Sequence, residues 1–234
     1  VREAFHTSTA RLHLREKMNT MRTICITIHD VPKAHAHFTA RGVTPQLFRG
    51  INGVRSRLHP LVFESGRTTY PVTACMGCWL SHRALWAACL LLPDDEFFLL
   101  EEDAMFARNW KVRLDKARAY LPHDWDILFV GSCHAAGKEA RHVGGEVFEF
   151  KKLVPAPHNS LLGGFAPPSL YGYPLCCHAL LLRRKALMPL IETLDAIGVH
   201  QSIDIAMANH GLAELRVFGV LPRIVDQWHH VLPA

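Results

Sequence analysis

The sequence predicts an α/β layered domain on a mostly parallel sheet, and three observations carry that prediction. Short β-branched or aromatic runs alternate with stretches of helical length. Of 234 residues, 49% are hydrophobic, enough to bury a sizeable core. No internal repeat and no linker divides the chain, so one domain over residues 22–234, preceded by a polar extension over residues 1–21, fits the length.

The elements follow in order. "RTICITI" is β-branched and short enough for a strand; "VPKAHAHFTARG" places Pro32 at a helix start and Gly42 at its stop. "PQLFRG" reads as a second strand. After a loop over residues 50–70, "TACMGCWLSHRALWAACLLL" has the length and Ala/Leu content of a helix. It is apolar nearly all round, so it is expected to be buried. "EFFLL" is the next strand, "WKVRLDKARAYL" an amphipathic helix, and "WDILFVG" a buried strand ending in Gly131. Residues 153–174 are too rich in Pro and Gly for regular structure, and so long a loop in a compact domain is expected to be a lid or binding loop. "CCHALLLRR", "KALMPLIETLDAIG", "SIDIAMANHG" and "ELRVFGV" then read as strand, helix, helix and strand.

Charge narrows the partners. The formal net charge is +5, but the Lys and Arg residues are scattered rather than striped. That argues against a nucleic-acid face and for an anionic small molecule. Seven cysteines are an odd set, mostly in apolar runs, and are expected to be reduced, packed thiols in a cytoplasmic protein. No apolar run approaches membrane-spanning length, so no transmembrane segment is expected, and the first residues lack the apolar centre of a signal peptide.

Chemistry concentrates in "FFLLEEDAMF". Three carboxylates, Glu101, Glu102 and Asp103, follow a run that reads as a buried strand. Desolvated acids need a cation or a dense set of donors. Ligands of open α/β sheets bind beyond the carboxyl ends of the strands, and oxygen-rich sites there suit Mg²⁺ or Mn²⁺ shared with substrate phosphates. Were the strand to continue, Glu101 and Asp103 would point to the same side. A solvated turn or a salt bridge to an arginine is the plainer alternative.

"MGCWLSHRALW" followed by "FFLLEEDAMF" resembles the signature of glycosyltransferase family 25, in which Gly-Cys and Ser-His on a helix precede a strand ending in an acidic motif. "WDILFVG", "GYPLCCHALLLRRKALMPLI" and "SIDIAM" resemble later segments of that family in the same order, so the resemblance spans residues 24–226. It implies a single GT-A type (Rossmann-like) domain that transfers a hexose, galactose or glucose, from a UDP-linked or other nucleotide-sugar donor. The acceptor would be a hydroxyl of a glycan, glycolipid or protein, and Mn²⁺ or Mg²⁺ would sit at the acidic motif. Charge growing on a leaving phosphate needs a Lewis acid, for which Asp103 is the expected direct ligand and Glu101 a direct or water-mediated partner. Thr27, His29, Asp30, Ser81, His82 and Glu102 are expected to line the donor, and Asp204, which sits between Ile203 and Ile205 at a predicted helix start and matches the family's Asp, is the expected general base for the acceptor.

The sequence departs from the family where Glu102 stands in place of Asp and where "ITIHDVPKAHAHF" lacks the arginines that usually follow the first strand. Other readings stay open. Asp204 also fits a helix-start acid, and His82 a structural buried histidine. Cys75, Cys78 and His82 share one helical face, a zinc or redox pattern without a second ligand pair, for which packing is the alternative. His229 and His230 are candidates for a late metal ligand. A metal-dependent phosphoester hydrolase and an inactive nucleotide-sugar-binding module are the competing functions.

Overall fold

The computed structural model describes residues 21–28, 31–55, 72–132, 140–150, 175–199, 202–212 and 214–227. Residues 1–20 of the proposed extension over 1–21, the Pro/Gly-rich loop over 153–174, His29, Asp30, His229 and His230 lie outside the described residues.

Ten strands and five α-helices are described. The strands are β1 (Arg22–Thr27), β2 (Gln46–Arg49), β3 (Glu96–Glu101), β4 (Ala104–Phe106), β5 (Ile127–Gly131), β6 (Arg141–Gly144), β7 (Val147–Glu149), β8 (Ala179–Arg183), β9 (Val217–Val220) and β10 (Val225–Gln227). The helices are α1 (Val31–Ala40), α2 (Val72–Leu90), α3 (Trp110–Tyr120), α4 (Arg184–Ile197) and α5 (Ile203–Ala206), the last running into a π-helical turn at Met207–Gly211. The alternation read from the sequence is therefore present. Gly42 ends α1 with a φ of 64°, a left-handed conformation that costs a glycine nothing.

Eight strands form one sheet in the order β2-β1-β3-β8-β5-β9-β7-β6. From the pairings, six strands run in one direction, and β8 and β7 run against them. The fold is thus α/β with a mostly parallel, mixed sheet. The central strands are buried on both faces, which is why they read as continuous apolar runs. Alternation then divides their side chains between two cores. Phe97, Leu99, Ile127, Phe129, Leu180 and Leu182 pack with α2 and α4 on one face, through Trp79, Trp86, Leu187 and Leu190. Phe98, Leu100, Leu128, Val130 and Leu181 pack with Phe38 of α1 and Trp110 and Leu114 of α3 on the other.

Three expectations are corrected. The strand expected from Cys176 begins only at Ala179, because Cys176 has a φ of 69° and breaks the extended backbone. Cys176 is also disulfide-bonded, so the cysteines are not uniformly reduced. Cys25, Cys75, Cys78, Cys89 and Cys177 are free thiols. Finally, the chain after Glu101 turns at Glu102 and Asp103 and re-enters as β4, which pairs antiparallel with β10, a ladder of three residue pairs that no sequence run announced.

Candidate active site

The direction of the strands assembles the site. β1, β2, β3 and β5 end at one edge of the sheet, and reversed β8 begins there, so that edge collects Thr27, Arg49, Glu101, Gly131 and His178. Glu101 N–H donates to His178 O at 3.0 Å, which ties β3 to the chain entering β8. Gly131 lets the imidazole in: a Cβ there would lie 2.3 Å from His178 Nε2 and 2.4 Å from Val225 O.

The three consecutive acids diverge instead of sharing one side. Glu101 turns toward α2, where its Oε1 lies 2.8 Å from His82 Nε2 and accepts from Cys78 Sγ at 3.8 Å. Burial pushes Glu101 upward, but the bond to His82 and the nearby imidazoles of His82 and His178 outweigh it and hold the carboxyl below its usual value. Glu102 turns toward β1, accepting from Thr27 Oγ1 at 2.6 Å and from Ile28 N–H at 3.2 Å. Its extra methylene, relative to Asp, spans that gap.

Asp103 turns toward β10. Gln227 Nε2 approaches its Oδ2 at 3.4 Å, while its Oδ1 is buried with no hydrogen-bond partner. Burial, then the charges of Glu101 and Glu102, push this carboxyl up to about 7. An orphaned buried carboxylate oxygen in a negative field is what a bound cation would satisfy. Asp103 Oδ1 therefore fits as one oxygen ligand of a hard divalent ion. The pairing β4–β10, with Ala104 opposite Gln227, holds the turn and its acid in place.

Beside Glu102 lies a cavity of about 400 Å³ lined by Ile28, Arg49, Gly50, Ile51, Asn52 and Arg55. Neither guanidinium has an acid partner among the described residues. These are functional candidates that sequence reasoning missed: arginines are absent after the first strand but present after the second, in "FRGINGVR". A pair of cations flanking a strand end, interleaved with glycines, was the available signal. The loop is held against α2 through Ser81, whose Oγ accepts Ile51 N–H at 2.7 Å and donates to Gly77 O at 2.6 Å.

Asp204 lies in the first turn of α5. Its Oδ2 accepts Cys176 N–H at 3.1 Å and its Oδ1 accepts Ile205 N–H at 2.9 Å, so the carboxylate is oriented by backbone donors and also stabilises the unusual Cys176 conformation. Its field reaches Cys78 and Cys177, which places it on the α2 side of the edge.

No protein-family model matches the sequence, and no curated protein matches it. Weak likenesses among solved structures include A197 from STIV, with a TM-score of 0.41 and 11% identity over 88% of this chain and 83% of that one. Others are a UDP-glucose pyrophosphorylase complexed with UDP-glucose (TM-score 0.41, 10% identity, 86% and 90%) and the mannose-1-phosphate geranyltransferase of Thermus thermophilus (TM-score 0.36, 13% identity, 92% and 63%). Likeness at that level carries no argument about activity. Among the described residues, no helix is long and apolar enough to cross a membrane.

Proposed function

We propose that the chain is a metal-dependent glycosyltransferase moving a hexose from a nucleotide-sugar donor, UDP-linked, to a hydroxyl of a glycan, glycolipid or protein. The observation that carries this reading is Asp103 Oδ1, a buried carboxylate oxygen without a partner, at the carboxyl edge of the sheet that also holds an arginine-lined cavity. Acid and base side by side suit the two halves of a cation–diphosphate complex.

Asp103 would hold Mn²⁺ or Mg²⁺, and Glu101, retained by His82, would contribute through water. When bound, such an ion supplies a Lewis acid for the charge that grows on the leaving diphosphate. Arg49 and Arg55 neutralise the donor's anionic part. Thr27, Ile28 and Glu102 form the wall it meets, with His29 and Asp30 next in sequence, and Ser81 fixes the loop that carries Ile51. Asp204 takes the proton of the acceptor hydroxyl as its oxygen attacks the sugar's anomeric carbon.

Calorimetric titration of UDP tests the reading. Manganese is expected to strengthen UDP binding relative to chelator, and Asp103→Asn to remove most of that gain while far-ultraviolet circular dichroism stays unchanged. Equal affinity with and without the ion overturns it. Release without an acceptor of inorganic phosphate, or of nucleoside monophosphate with sugar 1-phosphate, would favour the phosphoester hydrolase instead.

A further inference from the structure

The geometry points to a second, chemically distinct cation site at the same edge: Cys78 Sγ, His82 Nε2 and Glu101 Oε1 form a three-ligand site for a thiophilic divalent ion, Zn²⁺. Cys78 and His82 are four residues apart on α2, so they project from one face a turn apart. Glu101, the last residue of β3, closes the third corner. All three ligand atoms lie within 4.8 Å of one another, with Nε2 2.8 Å and Sγ 3.8 Å from the carboxylate oxygen.

Those distances are near what zinc requires. Bonds of about 2.0–2.3 Å in tetrahedral array separate ligand atoms by roughly 3.3–3.7 Å. The histidine–glutamate gap must open by about half an ångström and the sulfur–carboxylate gap must close by about 0.3 Å, both within reach of small side-chain rotations. The donor set decides the ion. One thiolate, one imidazole and one carboxylate suit Zn²⁺, whereas Mn²⁺ and Mg²⁺ prefer all-oxygen surroundings.

The surroundings favour positive charge. Burial raises the Cys78 thiol, and the neighbouring Glu101 and Asp204 raise it further, the mark of a negative field. Binding is balanced by release of the thiol proton to water, while the imidazole proton shifts from Nε2 to Nδ1 as Nε2 gives its lone pair to the ion. His82 is 1% exposed and the Glu101 side chain 22%, so the ion reaches its ligands from the Glu101 side and keeps a fourth position open there. His82 Nδ1 is buried without a hydrogen-bond partner, so the imidazole lacks the outer partner of tight structural sites. The site is therefore of the exchangeable, three-ligand kind. Cys75, one turn earlier, is not part of the cluster.

Cobalt titration of the full chain tests the proposal, because Co²⁺ occupies zinc sites and reports a thiolate ligand by a charge-transfer band in the near ultraviolet. One equivalent of Co²⁺ is expected to develop that band, which excess Zn²⁺ removes and excess Mg²⁺ does not. Cys78→Ser should abolish it. Glu101→Gln should weaken cobalt binding by about tenfold or more, as loss of a ligand demands. Cys75→Ser and Asp103→Asn should leave the band intact, which separates this site from the ion proposed at Asp103. Absence of the band in the unmodified chain overturns the proposal, as does its survival in Cys78→Ser or its loss in Cys75→Ser. Should Cys78→Ser fail to fold by circular dichroism, the unmodified chain and Glu101→Gln still decide.

Discussion

Asp103 shows how a single residue can be placed against its own interest. An Asp carboxyl titrates near 3.9 in an unfolded chain and is pushed up to about 7 here by burial and by Glu101 and Glu102. Between those values the folded state keeps a proton that the unfolded state has released. Stability contributed by this group is therefore present at acid pH, falls as pH rises from about 4 to about 7, and leaves a net penalty above that. In chelator, Asp103→Asn is expected to stabilise the protein by about 1–3 kcal/mol at pH 8 and to be nearly neutral at pH 4, a discount on the full shift for the solvent at the edge. Urea midpoints across that range check it. A destabilised variant at pH 8 would mean that the unpartnered oxygen is not a cost. The sequence announced three acids at a strand end, but not their divergence, because that depends on which neighbours receive them: His82, Thr27 and Gln227 come from distant segments.

At the scale of elements, legibility followed local physics. β3, β5 and β8 are apolar on both faces and α4 is amphipathic, so each shows in its own residues. The reversal of β8 and the pairing of β4 with β10 do not, since direction is fixed by the path of the chain and a three-residue strand has no pattern to read. α2 is the element on which the site depends most. Its Gly77 lies against the loop after β2, where a Cβ would meet Ile51 O at 2.4 Å and Gly53 N at 2.5 Å. Backbone cannot yield as a flexible side chain can. Gly77→Ala is expected to cost about 1–3 kcal/mol, read as a lowered Tm, despite alanine's better helix propensity. It should also weaken UDP more than it weakens the cobalt site, because the displaced loop lines the cavity, while Cys78 and His82 stay on the helix. Unchanged stability would show that the loop is free to move away.

Taken whole, the molecule gathers its chemistry by sending most strands the same way and letting one reversed strand begin where the others end. That arrangement separates two carboxylates with different proposed tasks, Asp103 against β10 and Asp204 against the chain entering β8. If Asp204 is the base, Asp204→Asn leaves UDP and manganese binding nearly intact and lowers kcat by roughly 10²–10⁴-fold, because a base acts only on the proton in flight. Asp103→Asn instead damages donor binding and rate together. Asn at position 204 can still accept the Cys176 N–H through its carbonyl oxygen, so the fold around that bond is expected to persist and the comparison stays clean. Donor hydrolysis by water serves as the assay until an acceptor is in hand, provided the unmodified chain supports it. Full activity in Asp204→Asn, with the same Tm, returns this aspartate to its plainer role: holding Cys176 in its left-handed turn and charging the start of α5.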